Sequence, residues 1–372
     1  MSRRIVENPA QGVRQVEVIV ANLKRRFSGV TSTVLALLPV QSRRVRIAAL
    51  GPNLPRDWPR ITWGGLFRHG WQPPPGRPFR IWHARRNIEM LAGLILRSVL
   101  RMPLKLVFTS AAQRRHSAWS RFLLARMDAV IAASPEAASY LVVPCDVVLH
   151  GVDTVRYHPA EDRDAQWAVT GLPGKFGIGV FGRVRAQKGT DRFVHVMCRL
   201  LPRYPDFTAV IVGAITPDQR RFADALHAEI SAARLGDRIV FLDELPADEV
   251  PAWLRRVTIV VGPQIWEGFG LVPLEAMASG TAVVATKVGA ARHLLVEGET
   301  GYVVEPDDTA GLEARIESLM RDPAAAGAMG RRGRAHVERH FSIEREAAGI
   351  QVVYDRLWRA APGDRDRPGQ GL

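Results

Sequence analysis

The sequence predicts an α/β fold made of two doubly wound parallel-sheet domains. Short apolar runs alternate with helical stretches along most of the chain, a pattern typical of buried parallel strands covered by helices. The length of 372 residues allows two domains of ordinary size, each with its own core. A polar and charged segment at residues 159–174, bounded by prolines, interrupts the alternation and predicts an interdomain linker.

Residues 1–158 are predicted to form the first domain. Its expected strands are residues 15–21, 45–50, 77–84, 104–109, 127–134 and 147–153. Helices are predicted at residues 32–40, where the chain is apolar, and from residue 85 onward. The segment 52–78, rich in Pro and Trp, has no pattern that assigns it to a helix or a strand.

Residues 175–342 are predicted to form the second domain. Its expected strands are residues 175–182, 208–213, 238–242, 257–262, 282–286 and 301–304. Helices are predicted after Thr190, which can act as an N-cap, and at residues 218–234, 248–255, 309–320 and 324–340. A final helix is expected within residues 343–360, because apolar side chains recur there at helical spacing. The Gly-, Pro- and charge-rich tail 361–372 is predicted to be disordered.

The stretch from Gln264 to Gly280 is predicted to leave a strand, form a glycine-rich turn and enter a short helix. Pro273 suits the first helical position and Gly280 suits a left-handed exit. Free backbone N–H groups at such a helix start favour an anion. Glu267 and Glu275 flank this anion site with seven residues between them, and carboxylates accept hydrogen bonds from sugar hydroxyls. The combination predicts a sugar-nucleotide site, whereas an ordinary turn with a stabilising Glu in the first helical turn is the alternative.

A second loop of the same predicted sheet carries two cations. Arg183 and Lys188 lie between a strand and a helix, at the edge where the Glu267 loop is also expected. A planar guanidinium and a point charge together can hold a diphosphate. Since Arg and Lys are common in surface loops, a purely solvated loop is the alternative.

These two motifs resemble those of the family 4 glycosyltransferases of the GT-B fold. The resemblance rests on Glu267-Gly-Phe-Gly, the finish Glu275-Ala-Met-Ala-Ser-Gly, and the Gly-Arg, four residues, Lys-Gly spacing at 182–189. It implies two Rossmann-like domains facing across a cleft, with the final helix crossing back to the first domain. It also implies retention of the anomeric configuration. The sequence has no Asp-X-Asp metal motif at a cleft position, so we expect metal-independent chemistry without a cofactor.

The expected donor site combines the two loops of the second domain. Glu275 is expected to hold the ribose, and Glu267 the donor sugar. The expected donor-binding residues are Arg183, Lys188, Glu267, Gly268, Phe269, Gly270, Leu271, Val272 and Glu275. The expected catalytic residues are Glu267, Arg183, Lys188 and His116.

His116 is included because the family often has a His-Asp pair after the strand that ends here near Thr109. This chain has Ser110-Ala-Ala at that place, so a displaced His is expected. A solvent-exposed His at the start of a helix is the alternative, and His83 is a weaker candidate.

The positive charge of the chain lies entirely in its first half. Residues 1–165 contain 25 Lys and Arg against 11 Asp and Glu, while the remaining residues contain 26 of each, so the whole net charge of +14 lies in this first part of the chain. An anionic membrane, a phosphorylated lipid or a nucleic acid would suit such a surface. No zinc-finger or aromatic RNA-binding motif is present, and compositional drift is the remaining explanation. The expected acceptor-binding residues are Lys24, Arg25, Arg26, Gly29, Arg85 and Arg86.

Three segments look like the mannosyltransferases of the lipopolysaccharide inner core. They are residues 22–33, 82–87 and 264–270. This resemblance implies GDP-mannose as donor and an acidic, lipid-linked Kdo–lipid A acceptor, with no nucleic acid partner. Because the sequence shows neither a secretory signal nor a run of about 18 apolar residues, the protein is expected in the cytoplasm, peripheral on the inner membrane. A UDP- or ADP-sugar donor, a GT-B-like epimerase or phosphorylase, and a nucleic-acid-binding protein stay open as alternatives.

Overall fold

The structure is a computed structural model that describes residues 9–25, 29–52, 54–55 and 58–360, with side chains described from residue 12 onward. The chain divides into two units. The first contains the residues up to His150 together with those from Ile343, and the second contains Gly151–Ser342. Each unit is built on one parallel sheet, which confirms the predicted α/β class. The tail 361–372 and Arg26 lie outside the described residues.

The sheet of the first unit consists of seven parallel strands: β1 (Val18–Ala21), β2 (Ile47–Leu50), β3 (Arg60–Ile61), β4 (Arg80–Ala84), β5 (Leu104–Ser110), β6 (Ala129–Ala132) and β7 (Asp146–Val147). Their order is β3-β2-β1-β4-β5-β6-β7. Successive residues of β1 enter different cores, Val18 on one face and Ile19 on the other. Both faces of the sheet are therefore covered, as in other parallel sheets.

Helices cover the two faces of this sheet: α1 (Pro9–Gln15), α2 (Gly29–Gln41), α3 (Trp63–His69), α4 (Asn87–Leu94), α5 (Ala118–Leu124), α6 (Pro135–Ser139) and the last helix of the chain, α15 (Ile343–Arg359). A π-helical turn, Ile95–Val99, extends α4. Ile350 and Tyr354 of α15 share a core with Leu37 of α2, which places the last helix in the first unit. The unassigned segment 52–78 contains β3 and α3.

The sheet of the second unit consists of six parallel strands: β8 (Phe176–Phe181), β9 (Phe207–Val212), β10 (Ile239–Phe241), β11 (Ile259–Gly262), β12 (Ala282–Thr286) and β13 (Tyr302–Val304). Their order is β10-β9-β8-β11-β12-β13. The helices of this unit are α7 (Arg163–Ala168), α8 (Thr190–Leu200), α9 (Arg220–Ala232), α10 (Val250–Arg256), α11 (Leu271–Ala278), α12 (Ala291–Leu294), α13 (Thr309–Arg321) and α14 (Pro323–His340). Each predicted strand of this unit is present.

Two local predictions in the second unit are corrected. The expected linker, residues 159–174, belongs to this unit and contains α7, because Trp167 is buried there and covers Gly177 of β8. The N-cap of α8 is Gly189 rather than Thr190, which is the first helical residue. The left-handed conformation of Gly189 already ends the preceding turn, so the helix begins one residue earlier than the capping pattern predicts.

Candidate functional site

The second unit has a topological switch point between β8 and β11. These strands are neighbours, but β9 and β10 continue the sheet on one side of them, and β12 and β13 continue it on the other. Ligands of doubly wound sheets bind outside the carboxyl ends of the strands at such a point. The loops that follow β8 and β11, at residues 182–189 and 263–270, both start there. The donor residues predicted from sequence lie in these two loops and in α11.

The two loops are fastened to each other. Ile265 N donates to the carbonyl oxygen of Gln187 at 3.0 Å. A Cβ atom on Gly189 would lie 1.9 Å from the carbonyl oxygen of Pro263, and the φ angle of Gly189 is +69°. Only glycine therefore allows this approach. These contacts bring Lys188 of the first loop next to Glu267 of the second loop.

Lys188 and Glu267 form an ion pair across the two loops. The Lys188 Nζ contacts Glu267 Oε2, and both side chains are 21% exposed. Glu267 Oε1 also accepts a hydrogen bond of 2.9 Å from the backbone N–H of Gly268. The structure thus places one cation and one carboxylate together at the switch point, in a position that solvent or a ligand can reach.

Arg183 is the second cation of the β8 loop. It follows Gly182, whose φ is +131°, and its side chain is partly buried. Val184 N donates to the carbonyl oxygen of Ala214 at 3.1 Å and holds the backbone beside it. Within the described part of the chain, no hydrogen bond or ion pair engages the Arg183 guanidinium, so its donors are available to an anion.

The glycine loop runs directly into α11, which begins at Leu271. Gly270, with φ +87°, occupies the N-cap position, so the N–H groups of Leu271 and Val272 lie in the first turn. Pro273 is consequently the third helical residue rather than the first, and Glu275 lies in the second turn rather than the first, which corrects both expected positions.

A third loop packs behind the glycine loop, at residues 288–290. Ala290 N donates to the carbonyl oxygen of Phe269 at 2.8 Å, and a Cβ on Gly289 would lie 2.4 Å from that oxygen. Phe269 itself is buried. These contacts hold the chain between Gly268 and Gly270, with its N–H groups, in one conformation before any ligand binds.

Glu275 has a partner that the sequence analysis missed. The hydroxyl of Tyr157 donates to Glu275 Oε1 at 3.0 Å. Burial raises the pKa of Glu275, and burial together with the Glu275 charge raises the pKa of Tyr157, so the tyrosine remains a donor. Arg334 fixes this segment by donating to the carbonyl oxygen of Tyr157. No sequence pattern near Tyr157 indicates this role, because its partner Glu275 is 118 residues away in sequence.

The raised pKa of Glu275 predicts a stability cost at neutral pH. An Asp or Glu whose folded pKa is raised is favourable when protonated and loses that contribution as the pH rises through the folded pKa. Glu275→Gln, which still accepts from Tyr157, should therefore increase the midpoint temperature of unfolding at pH 7, and the gain should vanish below about pH 4. Its kcat/KM should fall roughly 10- to 100-fold, the value of a hydrogen bond to a charged group.

Thermal unfolding of Glu275→Gln at pH 3.5, 5 and 7 checks this prediction. Glu161→Gln is the control, because Glu161 is exposed in the same unit. A gain in stability that is independent of pH, or equal in both variants, would contradict a burial cost at Glu275.

The first unit has its own switch point, between β1 and β4. Leu23 N, in the loop after β1, donates to Glu89 Oε1 at 3.2 Å. Arg85 N, in the loop after β4, donates to Glu89 Oε2 at 2.8 Å. The Arg86 guanidinium contacts Glu89 at 2.8 Å and Asn22 Oδ1 at 3.0 Å. Glu89 is fully buried, so its carboxylate joins the two loops of this switch point.

The acceptor-binding residues predicted from sequence differ in their surroundings. Arg85 and Arg86 have internal partners, with Arg85 Nη1 donating to Thr33 at 3.2 Å. Lys24 and Arg25 are exposed in the loop after β1, and Gly29 begins α2. The structure therefore brings these residues to one sheet edge but leaves mainly the loop side chains facing solvent.

The two histidine candidates lie in different environments. His83, within β4, is buried and contacts Tyr354 Oη at 2.6 Å and Thr109 Oγ1 at 2.7 Å. His116 is partly buried, and burial together with Arg114 lowers its pKa, so it is neutral at pH 7. Its Nε2 atom is buried and has no hydrogen-bond partner among the described residues. A catalytic role for His116 stays a prediction.

Comparison with known proteins adds sequence relatives to this geometry. The model of the family "Glycosyl transferases group 1" matches residues 162–336. The chain is 51% identical over 346 residues to the lipopolysaccharide core biosynthesis mannosyltransferase LpcC of Rhizobium leguminosarum bv. viciae, covering 93% of this chain and 97% of the relative. It is 48% identical over 351 residues to the lipopolysaccharide core biosynthesis mannosyltransferase LpsB of Rhizobium meliloti (strain 1021), covering 93% of this chain and 99% of that relative.

A solved structure matches the whole fold. Anabaena Alr3699/HepE, crystallised in complex with UDP and glucose, aligns with a TM-score of 0.77 over 92% of this chain and 100% of its own. The sequence identity is 17%, so this likeness concerns the fold alone.

Proposed function

The chain belongs to the group 1 glycosyl transferases, and from its similarity to lipopolysaccharide core mannosyltransferases we propose that it transfers mannose from GDP-mannose to a Kdo–lipid A acceptor of the lipopolysaccharide inner core. It is a glycosyltransferase with the GT-B fold. The observation that carries the finer proposal is its alignment with two lipopolysaccharide core mannosyltransferases over almost their entire length.

The switch point of the second unit suits a nucleotide sugar. As the bond between sugar and diphosphate breaks, negative charge develops on the leaving phosphate. Arg183, Lys188 and the N–H groups of Leu271 and Val272 supply positive charge and hydrogen-bond donors for that charge, which is commonly the largest catalytic contribution. Because the backbone N–H groups are held by the helix start, they need little reorganisation during the reaction.

The two carboxylates would bind hydroxyl groups of the donor. Glu275, positioned by Tyr157, would accept hydrogen bonds from the ribose, and Glu267 with the backbone of Gly268 and Gly270 would hold the sugar. For the Glu267 oxygens to reach the sugar, the Lys188 ammonium would turn toward the diphosphate. We propose that transfer retains the anomeric configuration. We also propose that it requires no metal, since Arg183 and Lys188 supply the positive charge.

The acceptor would contact the basic first unit. Kdo carboxylates and lipid A phosphates are anions, and Lys24 and Arg25 are exposed at the switch point of that unit. His116, neutral at pH 7, is the proposed group that assists the acceptor hydroxyl. Among the described residues, no helix combines the length and hydropathy needed to cross a bilayer. We propose peripheral contact with the cytoplasmic face of the inner membrane, where a lipid-linked acceptor would be met.

A transfer assay tests the donor, the acceptor and the metal requirement together. Purified protein with EDTA would receive labelled GDP-mannose, UDP-glucose, UDP-galactose or ADP-heptose, each with and without Kdo–lipid A. We expect label to enter lipid only from GDP-mannose, only when acceptor is present, and equally with EDTA or Mg²⁺. Product analysis by NMR should show the α-anomer, the configuration of the donor.

Other outcomes identify the alternatives. Transfer from a UDP- or ADP-sugar alone would replace the donor assignment. Conversion of the donor without any acceptor product would favour an epimerase, and phosphate-dependent glycan cleavage would favour a phosphorylase. Salt-sensitive nucleic acid binding that survives Glu267→Ala, without transfer, would contradict the enzymatic proposal.

A further inference from the structure

Large aromatic side chains are exposed on and just after α3. Trp63, Phe67 and Trp71 are 39%, 45% and 46% exposed. Their rings form a continuous series, with centroids 5.9 Å apart for Trp63 and Phe67 and 6.5 Å apart for Phe67 and Trp71. Neighbouring exposed aromatic rings of this size mark a surface that is covered when the protein functions.

Helix α4 and its π-helical turn carry an exposed aliphatic stripe. Ile88, Ile95 and Val99 are 57%, 45% and 70% exposed. Because seven residues make almost two helical turns, Ile88 and Ile95 lie on the same side of the helix.

On α5, Trp119 and Phe122 are 49% and 46% exposed, and their rings stack with centroids 5.5 Å apart.

Hydrogen bonds show that these three elements are adjacent. Trp71 Nε1 donates to the carbonyl oxygen of Leu100, at the end of the π-helical turn, at 2.8 Å. Asn87 Nδ2, at the start of α4, donates to Ser120 Oγ of α5 at 2.8 Å. We define the apolar band as Trp63, Phe67, Trp71, Ile88, Ile95, Val99, Trp119 and Phe122.

The surroundings of the apolar band are basic. Residues 58–127 contain 13 Lys and Arg and a single acidic residue, Glu89, which is fully buried. Arg68 and Arg121 are exposed on α3 and α5, and the Arg126 guanidinium lies 3.5 Å from the centre of the Phe122 ring. The nearby Asp128 is neutralised by Arg97 and Lys105. The segment therefore presents no unpaired negative charge to a partner.

We propose that the apolar band is the face by which this protein docks on an anionic phospholipid bilayer. Trp and Phe rings partition into the interfacial region of a membrane, with the amphipathic ring of Trp preferring the headgroup level. Arginines beside them meet lipid phosphates, each contributing attraction that depends on anionic lipid. The inference deepens the peripheral membrane contact in the proposed function, because it names the surface and rests on no donor or acceptor identity.

Vesicle sedimentation with the full chain tests the proposal. The probes are phosphatidylcholine vesicles with and without 30% phosphatidylglycerol, roughly the range in which surface potential becomes appreciable. The variant Trp119→Ser with Phe122→Ser, and separately Arg68→Glu with Arg121→Glu, should each lower the partition coefficient on anionic vesicles at least about tenfold. These four side chains are exposed, and circular dichroism and thermal unfolding verify the fold of each variant.

Matched controls lie on the second unit. Val169 is 72% exposed there, and Arg220 and Arg221 are exposed on α9. Val169→Ser and the pair Arg220→Glu with Arg221→Glu should leave vesicle binding within about twofold of the unchanged protein, since lost apolar contact or charge matters only at the docked face. Equal losses in controls and band variants, or no loss in the band variants, would overturn the proposal.

Two further readouts separate this inference from the proposed function. Transfer to a deacylated, lipid-free acceptor should be unchanged in the band variants, whereas transfer to acceptor embedded in anionic vesicles should fall. A protein that binds vesicles through the apolar band but transfers no sugar would contradict only the enzymatic assignment and would support the docking proposal. Dimerisation that depends on Trp119 and Phe122, without vesicle binding, would overturn the docking proposal in favour of a second copy of the chain.

Discussion

Lys188→Ala is expected to lower kcat for sugar transfer by about 10²- to 10³-fold, the usual loss when one fixed donor facing a developing oxyanion is removed. Lys188 lies at the end of the loop after β8, where Gly189 holds that loop against Pro263. Lys188→Arg should restore part of the rate, because it keeps the charge but replaces a compact ammonium with a planar fork. Initial rates at saturating donor measure both variants.

The control for Lys188 is a second lysine of the same unit. Lys175 pairs with Asp206 at 3.7 Å and precedes β8, so it lies at the opposite edge of the sheet from Lys188. Lys175→Ala should leave kcat unchanged. The ion pair of Lys188 with Glu267 is partly exposed, so its loss should cost at most about 1 kcal/mol of unfolding free energy. An unaltered kcat in Lys188→Ala would contradict its assignment to the diphosphate.

Gly189→Ala is expected to abolish measurable transfer and to lower the free energy of unfolding by about 2–5 kcal/mol, the sum of overpacking and left-handed strain. The added methyl group would lie 1.9 Å from the carbonyl oxygen of Pro263, so one of the two loops must move. Because Lys188 is the preceding residue, movement of this loop displaces its ammonium from Glu267. Denaturant unfolding and the transfer assay measure the two effects.

Gly171→Ala measures the left-handed strain alone, so its difference from Gly189→Ala gives the steric part of the effect. Gly171 has φ +68°, almost equal to the +69° of Gly189, but no atom lies within 4 Å of the position its Cβ would take. This variant should lose only about 1–2 kcal/mol, the strain of a left-handed residue, and should keep its activity. If Gly189→Ala lost no more free energy of unfolding than Gly171→Ala, the close approach of the two loops would contribute nothing to stability, which would contradict the prediction.

Much of the fold followed from the sequence because its signals are local. Each strand of the second unit is a short, mainly apolar run, and such runs are typical of parallel strands buried on both faces. The helices that were missed, such as α3 and α7, are only seven and six residues long. They contain too few turns for apolar periodicity to distinguish them from loops.

The two loops at the switch point of the second unit were predictable for a related reason. Glycines, cations and carboxylates at the ends of apolar runs indicate a ligand site without any knowledge of distant contacts. The exact start of α11 was wrong because Gly270, not the residue before Pro273, forms the N-cap. Proline tolerates any position in the first turn, so its presence does not define which position it occupies.

The sequence by itself determined the alternation of strands and helices, the glycine loops and the charge difference between the two halves, since each is a property of neighbouring residues. Only the tertiary structure decided that Lys188 pairs with Glu267, that Tyr157 hydrogen-bonds to Glu275, and that Arg86 forms an ion pair with the buried Glu89. The first two pairs span 79 and 118 residues. The pairing of β8 with β11 brings the loops of Lys188 and Glu267 together, whereas Arg334 of α14 holds the segment that contains Tyr157. Arg86 and Glu89 are only three residues apart, but the burial of the Glu89 carboxylate arises only when the loops after β1 and β4 close over it.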